Sequence, residues 1–451
     1  MAQKMTKKRN SARLRKQMKK RQERLVTMGV YAFLVLCVGA FVSIGLMNSR
    51  ATDRAETEWY VRGEQIEILA PPMGSTMDRG STDSAASGLP FLQPTATSEP
   101  AHLIMPTPVP QPTENPMEVL EPEATLEAVS VPITITAVGD CTLGGDIPSG
   151  AYRSFESYVT RCGYDYFFEN VRDLFESDDL TIVNLEGPLT TSNDLREGRA
   201  FNFRGDPSYV NILSGSSVEI ANVANNHAMD FGESGLSETA SVLEAAGIGV
   251  SGFSRVYLTE IQGVKVCSIG FTEWAYSKAQ IEKMVGIARS QCDLLIVSMH
   301  WGEEGSHETT STQRSLGHAI IDAGADVVLG THPHVYGGFE LYNGKYIVYS
   351  LGNFCFGGNR NPNDKNCIIF QQTFNVGPDG TVSDGGISII PARVSSSDDT
   401  NDFKPMILTD NRAQKIFSGI AKVSRVETTD VKWMNDSYQV SSGMVSLENS
   451  L

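Results

Sequence analysis

Apolar residues in the C-terminal two-thirds of the chain fall into short β-branched runs separated by longer stretches of helical period. Ile133–Val138, Leu180–Asn184, Val218–Val223, Val264–Gly270, Leu294–Met299, Val327–Gly330 and Lys345–Ser350 predict strands. Between them, Tyr166–Phe175, Gly235–Ala246, Gln280–Ser290 and Gln313–Ala323 predict helices, and another begins over Tyr209–Leu213. Gly247 and Gly324 supply the stop signals of two of these. Strands that alternate with helices of this length predict an α/β sheet with βαβ connections. Later the pattern turns β, over Cys367–Asn375 and Gly385–Val394 around the turn Gly377-Pro378-Asp379-Gly380, and a last helix is predicted over Asn411–Val423.

The N-terminal third reads differently. Leu25–Met47 has no charged residue across 23 positions, enough for a helix to span a bilayer. Residues 1–24 carry eleven Lys/Arg against the single acid Glu23, whereas the whole chain is −16, so the remainder carries −26. The apolar run exceeds the core of a cleaved signal peptide, which predicts an uncleaved single-pass anchor. The positive-inside rule then keeps the arm cytoplasmic and puts everything after Met47 outside the cell. A basic arm next to a membrane segment is explained by anionic lipid, and no nucleic-acid partner is expected.

Residues 48–130 read as a disordered stalk. Its centre is rich in Pro, Ser, Thr and Glu, as in Pro106-Thr107-Pro108-Val109-Pro110, and buries too little apolar area to offset chain entropy. Arg50–Ile68 is more mixed and has room for a short strand. A folded domain is expected over 131–425 and a loose tail over 426–451. Six cysteines lie beyond the anchor, and Cys355 with Cys367 is the simplest local pair to bridge in an oxidising compartment.

The chemistry sits where apolar runs stop. Asp140 and Glu186 each follow a buried run, and two carboxylates in one crevice repel unless a cation joins them. Asn226 and His227 offer an amide oxygen and an imidazole in succession, one suited to a metal and the other to proton donation. His300 ends the most apolar run, and Trp301 behind it would wall a pocket or fill core. His332 and His334 flank Pro333; on an extended segment their spacing puts both on one side. Cys141 is a conceivable nucleophile, Gly144-Gly145 suggests a loop close to a ligand, and Ser350-Leu351-Gly352-Asn353-Phe354 reads as a turn. His307, after the acidic Glu303-Glu304, is placed to meet substrate. Neither a Gly-x-Ser-x-Gly elbow nor a P-loop is present. The strand ends of an α/β sheet share one edge, so these residues predict a centre for one or two divalent cations.

In order, Val138-Gly139-Asp140, Asn184-Leu185-Glu186-Gly187, Ala224-Asn225-Asn226-His227, His300-Trp301-Gly302, Gly330-Thr331-His332-Pro333-His334 and Ser350-Leu351-Gly352-Asn353-Phe354 resemble the CapA-type capsule synthesis family (PGA_cap), associated with poly-γ-glutamate. That family is similar to the calcineurin-like metallophosphoesterases. The resemblance implies a two-sheet β-sandwich flanked by helices, with Asp140 at a first metal and Glu186 at the bridging position. It implies Asn226, His300 and His332 at a second metal, His334 at the first, and His227 as the nearby acid. Two positions depart from the phosphoesterase pattern: Thr142 stands where a histidine completes Asp-x-His, and Glu186 replaces an aspartate. The implied cofactor is one or two ions of manganese, zinc, iron or magnesium.

Three functions follow from the resemblance. One is a membrane-anchored extracellular component of capsule synthesis or export that acts beside other membrane subunits on an acidic polymer. Another is a surface metal-dependent hydrolase of a phosphoester or polymer amide. The third is a non-catalytic scaffold. The acidic exterior repels a polyanion at long range, so a metal or a local basic patch (Arg196, Arg199, Arg204) is required for polymer binding.

Overall fold

The computed structural model describes residues 67–69, 130–425 and 431–433. The basic arm, the expected Leu25–Met47 anchor, most of the expected stalk and most of the expected C-terminal tail lie outside the described residues. Among the described residues no helix is long and apolar enough to cross a membrane.

Two sheets face one another. In spatial order the first holds Glu67–Leu69, Arg255–Ile261, Val264–Thr272, Leu294–His300, Val327–Thr331, Lys345–Val348 and Phe339–Tyr342. Its central strands from Val264–Thr272 to Lys345–Val348 run parallel. The second holds Met406–Ile407, Val382–Arg393, Asn366–Val376, Val131–Thr142, Leu180–Leu185, Ile220–Asn222 and Gly249–Ser251. It is parallel from Val131–Thr142 to Gly249–Ser251 and antiparallel through Asn366–Val376 and Val382–Arg393. Two further strands join it, Asn353–Phe356 beside Val131–Thr142 and Val431–Trp433 beside Val382–Arg393.

Strand alternation explains the layering. In Leu294–His300 the side chains of Leu294 and Ile296 enter the core between the sheets, while Leu295, Val297 and Met299 enter the core under the helices Lys278–Arg289 and Ser311–Asp322. The second sheet does the same. Ile133, Ile135 and Ile182 face the first sheet, whereas Val138, Val183 and Leu185 pack with Phe155, Phe168, Phe175 and Leu243 on the other side. The result is helix, sheet, sheet, helix, the flanked sandwich that the resemblance implies. The helix Asn411–Val423 matches its expected span and inserts Ile416 and Ile420 into the core between the sheets.

Several expectations need correction. Tyr166–Phe175 is mostly a series of turns, with a helix only over Arg172–Glu176, although its buried residues Phe167, Phe168, Val171, Leu174 and Phe175 keep the spacing of one helical face. Tyr152–Cys162, unforeseen, is the helix of that region. Asn353–Phe356 is a strand, not a turn. The short strand that Arg50–Ile68 had room for is Glu67–Leu69, overlapping the end of that range, and it pairs with Arg255–Ile261. Cys355 and Cys367 are free buried thiols, and all six described cysteines are unbridged.

Trp301 belongs to the core. It is fully buried, its indole N–H donates to the Tyr349 carbonyl at 2.9 Å, and it packs under the helix Ser311–Asp322. Trp301→Ala leaves a ring-sized cavity and reduces the donors to the Tyr349 carbonyl to the longer bond from Gln313 at 3.5 Å. It is expected to lower unfolding free energy by about 3–5 kcal/mol in a urea titration.

Candidate metal centre

The central parallel strands of both sheets deliver their carboxyl ends to one edge. Asp140 lies near the end of Val131–Thr142, with its amide bonded to the Gly352 carbonyl at 3.0 Å, and Glu186 follows Leu180–Leu185. His300 is the last residue of its strand, and His332 follows Val327–Thr331. Asp140, Glu186 and His300 are each 0% exposed, so their charges and ring nitrogens meet no bulk water.

Their donor atoms converge. His300 Nε2 lies 2.8 Å from Asn226 Oδ1, 3.1 Å from His332 Nδ1 and 3.6 Å from Glu186 Oε1. His334 Nδ1 lies 3.2 Å from Asp140 Oδ2 and 3.9 Å from Glu186 Oε2. Glu186 therefore stands between two half-sets: Asn226, His300 and His332 on one side, Asp140 and His334 on the other. One ligand atom from each of Asp140, Glu186 and His300 lies within 4.8 Å of the others, and the same holds for Glu186, His332 and His334.

The residues fit a divalent cation. Asp140 Oδ2 and Glu186 Oε1 are buried without a hydrogen-bond partner, a costly condition for carboxylate oxygens unless something positive meets them. Burial, with the neighbouring Asp140 charge, pushes the Glu186 carboxyl up to about 7. Burial and the adjacent imidazoles hold His300 and His332 well below the ordinary histidine range, so both are neutral and carry lone pairs. Burial also works against a charged His334, but the carboxylates of Glu186 and Asp140 outweigh it and push that ring up to about 10. Mixed imidazole, amide and carboxylate donors suit zinc, manganese or iron. Thr142, at the position of the phosphoesterase histidine, offers a hydroxyl 3.5 Å from Glu186 Oε2 and no ring nitrogen, so the Asp140 side has fewer strong ligands.

The His332–His334 segment is not extended. Both residues have left-handed backbones, with φ of 96° and 59°, and their rings lie 5.8 Å apart. The shared side predicted from alternation is reached through two left-handed residues, a conformation that needs surrounding support.

His227 stands beside the cluster. Its Nδ1 lies 2.6 Å from Asp230 Oδ2, and its ring stacks on Phe203 at 4.0 Å. Burial opposes its protonation, but the Asp230 charge and hydrogen bond prevail and raise it. Arg199 donates to the Asn226 carbonyl, whereas Arg204 donates to the Ser192 carbonyl at 2.8 Å. Burial pushes the Cys141 thiol up to about 12, which removes it as a nucleophile. His307 bonds the Tyr336 carbonyl at 2.6 Å, and Gly144 sits against the Arg204 backbone instead of a ligand.

Asn184 and Thr331, quoted within the motifs, and Trp274 were given no role by the sequence reading. Asn184 donates to Asp140 Oδ1 at 2.8 Å and accepts from Asn222 at 2.9 Å, which ties the two strand ends together. Thr331 Oγ1 lies 2.9 Å from His300 Nδ1. Trp274, not Trp301, is the indole of the site, edge-on to His332 at 4.6 Å. The signal for Trp274 was its place just beyond the end of the strand Val264–Thr272, where Thr272 aligns with His300.

Residues 134–358 match the family described as "Bacterial capsule synthesis protein PGA_cap". The PGA biosynthesis protein CapA of Bacillus subtilis (strain 168) is 31% identical over 236 residues, which cover 47% of this chain and 62% of that protein. The capsule biosynthesis protein CapA of Bacillus anthracis is 28% identical over 253 residues, 50% of this chain and 60% of that one. The chain thus spans about three-fifths of the length of these relatives. Among solved structures, TT1561 of Thermus thermophilus aligns with 57% of this chain and 98% of its own at 13% identity and a TM-score of 0.29.

Proposed function

Since the chain belongs, through residues 134–358, to the bacterial capsule synthesis family PGA_cap, we propose that it serves the synthesis or export of a capsule polymer of the poly-γ-glutamate class. It does so from the outer face of the cell membrane, anchored by residues 25–47 beside other membrane subunits of the assembly. The names of its relatives support the pathway, and the uncharged N-terminal run behind a basic arm supports the anchoring.

One observation carries the chemical part: two buried carboxylates, each with an unpartnered oxygen, meet three histidines and an amide oxygen. Asp140 and His334 would hold one divalent ion, Asn226, His300 and His332 another, with Glu186 between them. Bound there, the cation would supply Lewis-acid polarisation of a carbonyl or phosphoryl oxygen. It would also offset the negative exterior for an acidic polymer, with the Arg199 guanidinium bonded to the Asn226 carbonyl beside it.

A second reading, a metal-dependent hydrolase, is favoured by His227. Asp230 fixes the Nδ1 side of that imidazole and favours its protonated form, and Phe203 covers one face, so its Nε2 holds a proton for a leaving group.

The test is the metal content of the purified full-length protein beside a His332→Ala/His334→Ala variant. Transition metal near stoichiometry in the wild type, falling at least tenfold in the variant, is the expected result. A folded wild type without metal after loading would overturn the metal centre and leave an assembly scaffold.

A further inference from the structure

We propose that Cys267 and Cys292 form a modification site: met by a disulfide oxidant, they join in an intramolecular disulfide that staples residues 268–291 at their base. The metal centre plays no part in this inference. Both residues are thiols in the structure, and they differ in place from the other described cysteines. Cys141, Cys355 and Cys367 are sealed in the core on the helix side of the second sheet, and Cys162 is exposed at the end of the helix Tyr152–Cys162. Cys292 is partly exposed and packs against the cluster that holds the fully buried Cys267.

The crossover between two neighbouring strands brings the pair together. Cys267 lies within Val264–Thr272, with its side chain on the face that the helix Lys278–Arg289 covers. After that helix the chain returns to the same strand, where the Asp293 amide donates to the Lys265 carbonyl at 2.8 Å. Arg289 donates to the Cys292 carbonyl, and the Cys292 thiol donates to the Ala288 carbonyl at 3.4 Å. The Cys292 sulfur thereby comes within hydrogen-bonding reach of both the thiol and the backbone of Cys267. Sulfurs held side by side are the first requirement of a bridge. Thr272, not Cys267, is level with His300, so the bridge would pin the strands away from the histidine edge.

The exchange has a defined order. The hydrogen bond from the Cys267 thiol holds the Cys292 thiol below its ordinary value, and the Arg289 charge adds to this against burial. Cys292 is thus the attacking group. Its thiolate attacks one sulfur of the oxidant and breaks the oxidant's S–S bond, which forms a mixed disulfide and expels a thiolate. Cys267 then gives up its proton, and its sulfur displaces the second thiolate from Cys292. The two cysteine protons end on the two released thiols. The pair loses two electrons and the oxidant gains two. A domain outside the cell, as proposed above, meets oxidants of this class.

The experiment equilibrates full-length protein, purified under reducing conditions, with oxidised glutathione, then alkylates it and maps non-reduced tryptic peptides by mass spectrometry. The expected product is a cross-link between residues 266–278, which contain Cys267, and residues 290–314, which contain Cys292, as the main bridged pair. Because a bridge constrains the unfolded chain, the urea midpoint is expected to shift upward and to return with dithiothreitol. Cys292→Ser is expected to lose both the cross-link and the shift, and Cys162→Ser to keep both. Unbridged Cys267 after equilibration, a glutathione adduct on Cys292 that never resolves, or a different main pair would overturn the proposal. If the Cys292→Ser protein does not fold, the wild-type map decides.

Discussion

In metal-free protein, Glu186→Gln is expected to raise stability at pH 8 by on the order of 3 kcal/mol, while the same change removes metal binding. The two effects have one cause. Glu186 is fully buried beside Asp140, and its carboxyl is pushed from 4.5 up to about 7 by burial and by that neighbour, even with the pull of His334 included. The unfolded chain ionises it near 4.5. Between these values the folded protein holds a proton that the unfolded chain has released, so stability falls as pH rises through that window. At about 1.4 kcal/mol per unit, the full penalty is present above pH 7 and absent below about 4.5. Glutamine keeps an oxygen for the Thr142 hydroxyl and carries no charge. Urea unfolding of both proteins with chelator, at pH 4 and pH 8, measures it: equal stability at pH 4 and a more stable variant at pH 8. With excess manganese the order at pH 8 should reverse, because only the wild type gains from ligand binding to the folded state. A variant less stable than wild type at pH 8 with chelator would contradict the account.

The second large effect is expected at Gly139. A Cβ built there would lie 1.7 Å from the Gly352 carbonyl oxygen and 2.8 Å from its carbon. Both are backbone atoms held by the bond from the Asp140 amide to that carbonyl, so no side-chain rotation relieves the overlap. Gly139→Ala must push the Leu351-Gly352-Asn353 segment away from Val131–Thr142, moving Asp140 and Asn353 together. A loss of about 4 kcal/mol or more, or failure to fold, is expected, with metal lost in whatever folds. Gly286 provides the comparison. It lies inside the helix Lys278–Arg289, and nothing comes within 4 Å of its added Cβ. Gly286→Ala should therefore stabilise by about 0.5–1 kcal/mol. Denaturation midpoints of the two variants against wild type decide it; a mild loss at Gly139 would mean that the close approach is not rigid.

Asp140, Glu186, Asn226, His300, His332 and His334 were legible as candidates because each follows or ends an apolar run, and parallel strands bring such ends to one edge. Asn184 and Thr331 were given no role, since a polar residue within or beside an apolar run carries no sign of what lies across the crevice. The two tryptophans show the limit sharply. Adjacency to His300 suggested Trp301, but alternation turns the next residue to the opposite face, into the core beneath the helices. Trp274 reaches the histidines through strand register, which single-sequence periodicity does not reveal. The aromatic run Tyr166–Phe175 misled differently: its apolar spacing is that of one helical face, yet only Arg172–Glu176 is helical and the residues before it form turns.

The short strand Glu67–Leu69 changes the mechanics of the tether. It pairs with Arg255–Ile261 and so belongs to the same folded unit as Val131–Thr142. If residues 25–47 anchor the chain as proposed, the sequence between anchor and folded unit is residues 48–66, with a contour length of at most roughly 65 Å. On that proposal, insertions or deletions in the proline-rich residues 70–129 would leave the reach unchanged, and the same changes within residues 48–66 would alter it. In a chain tethered as proposed, the distance from the bilayer to the edge that carries the carboxylates and histidines would be set by the roughly twenty residues before the strand and not by the sixty after it.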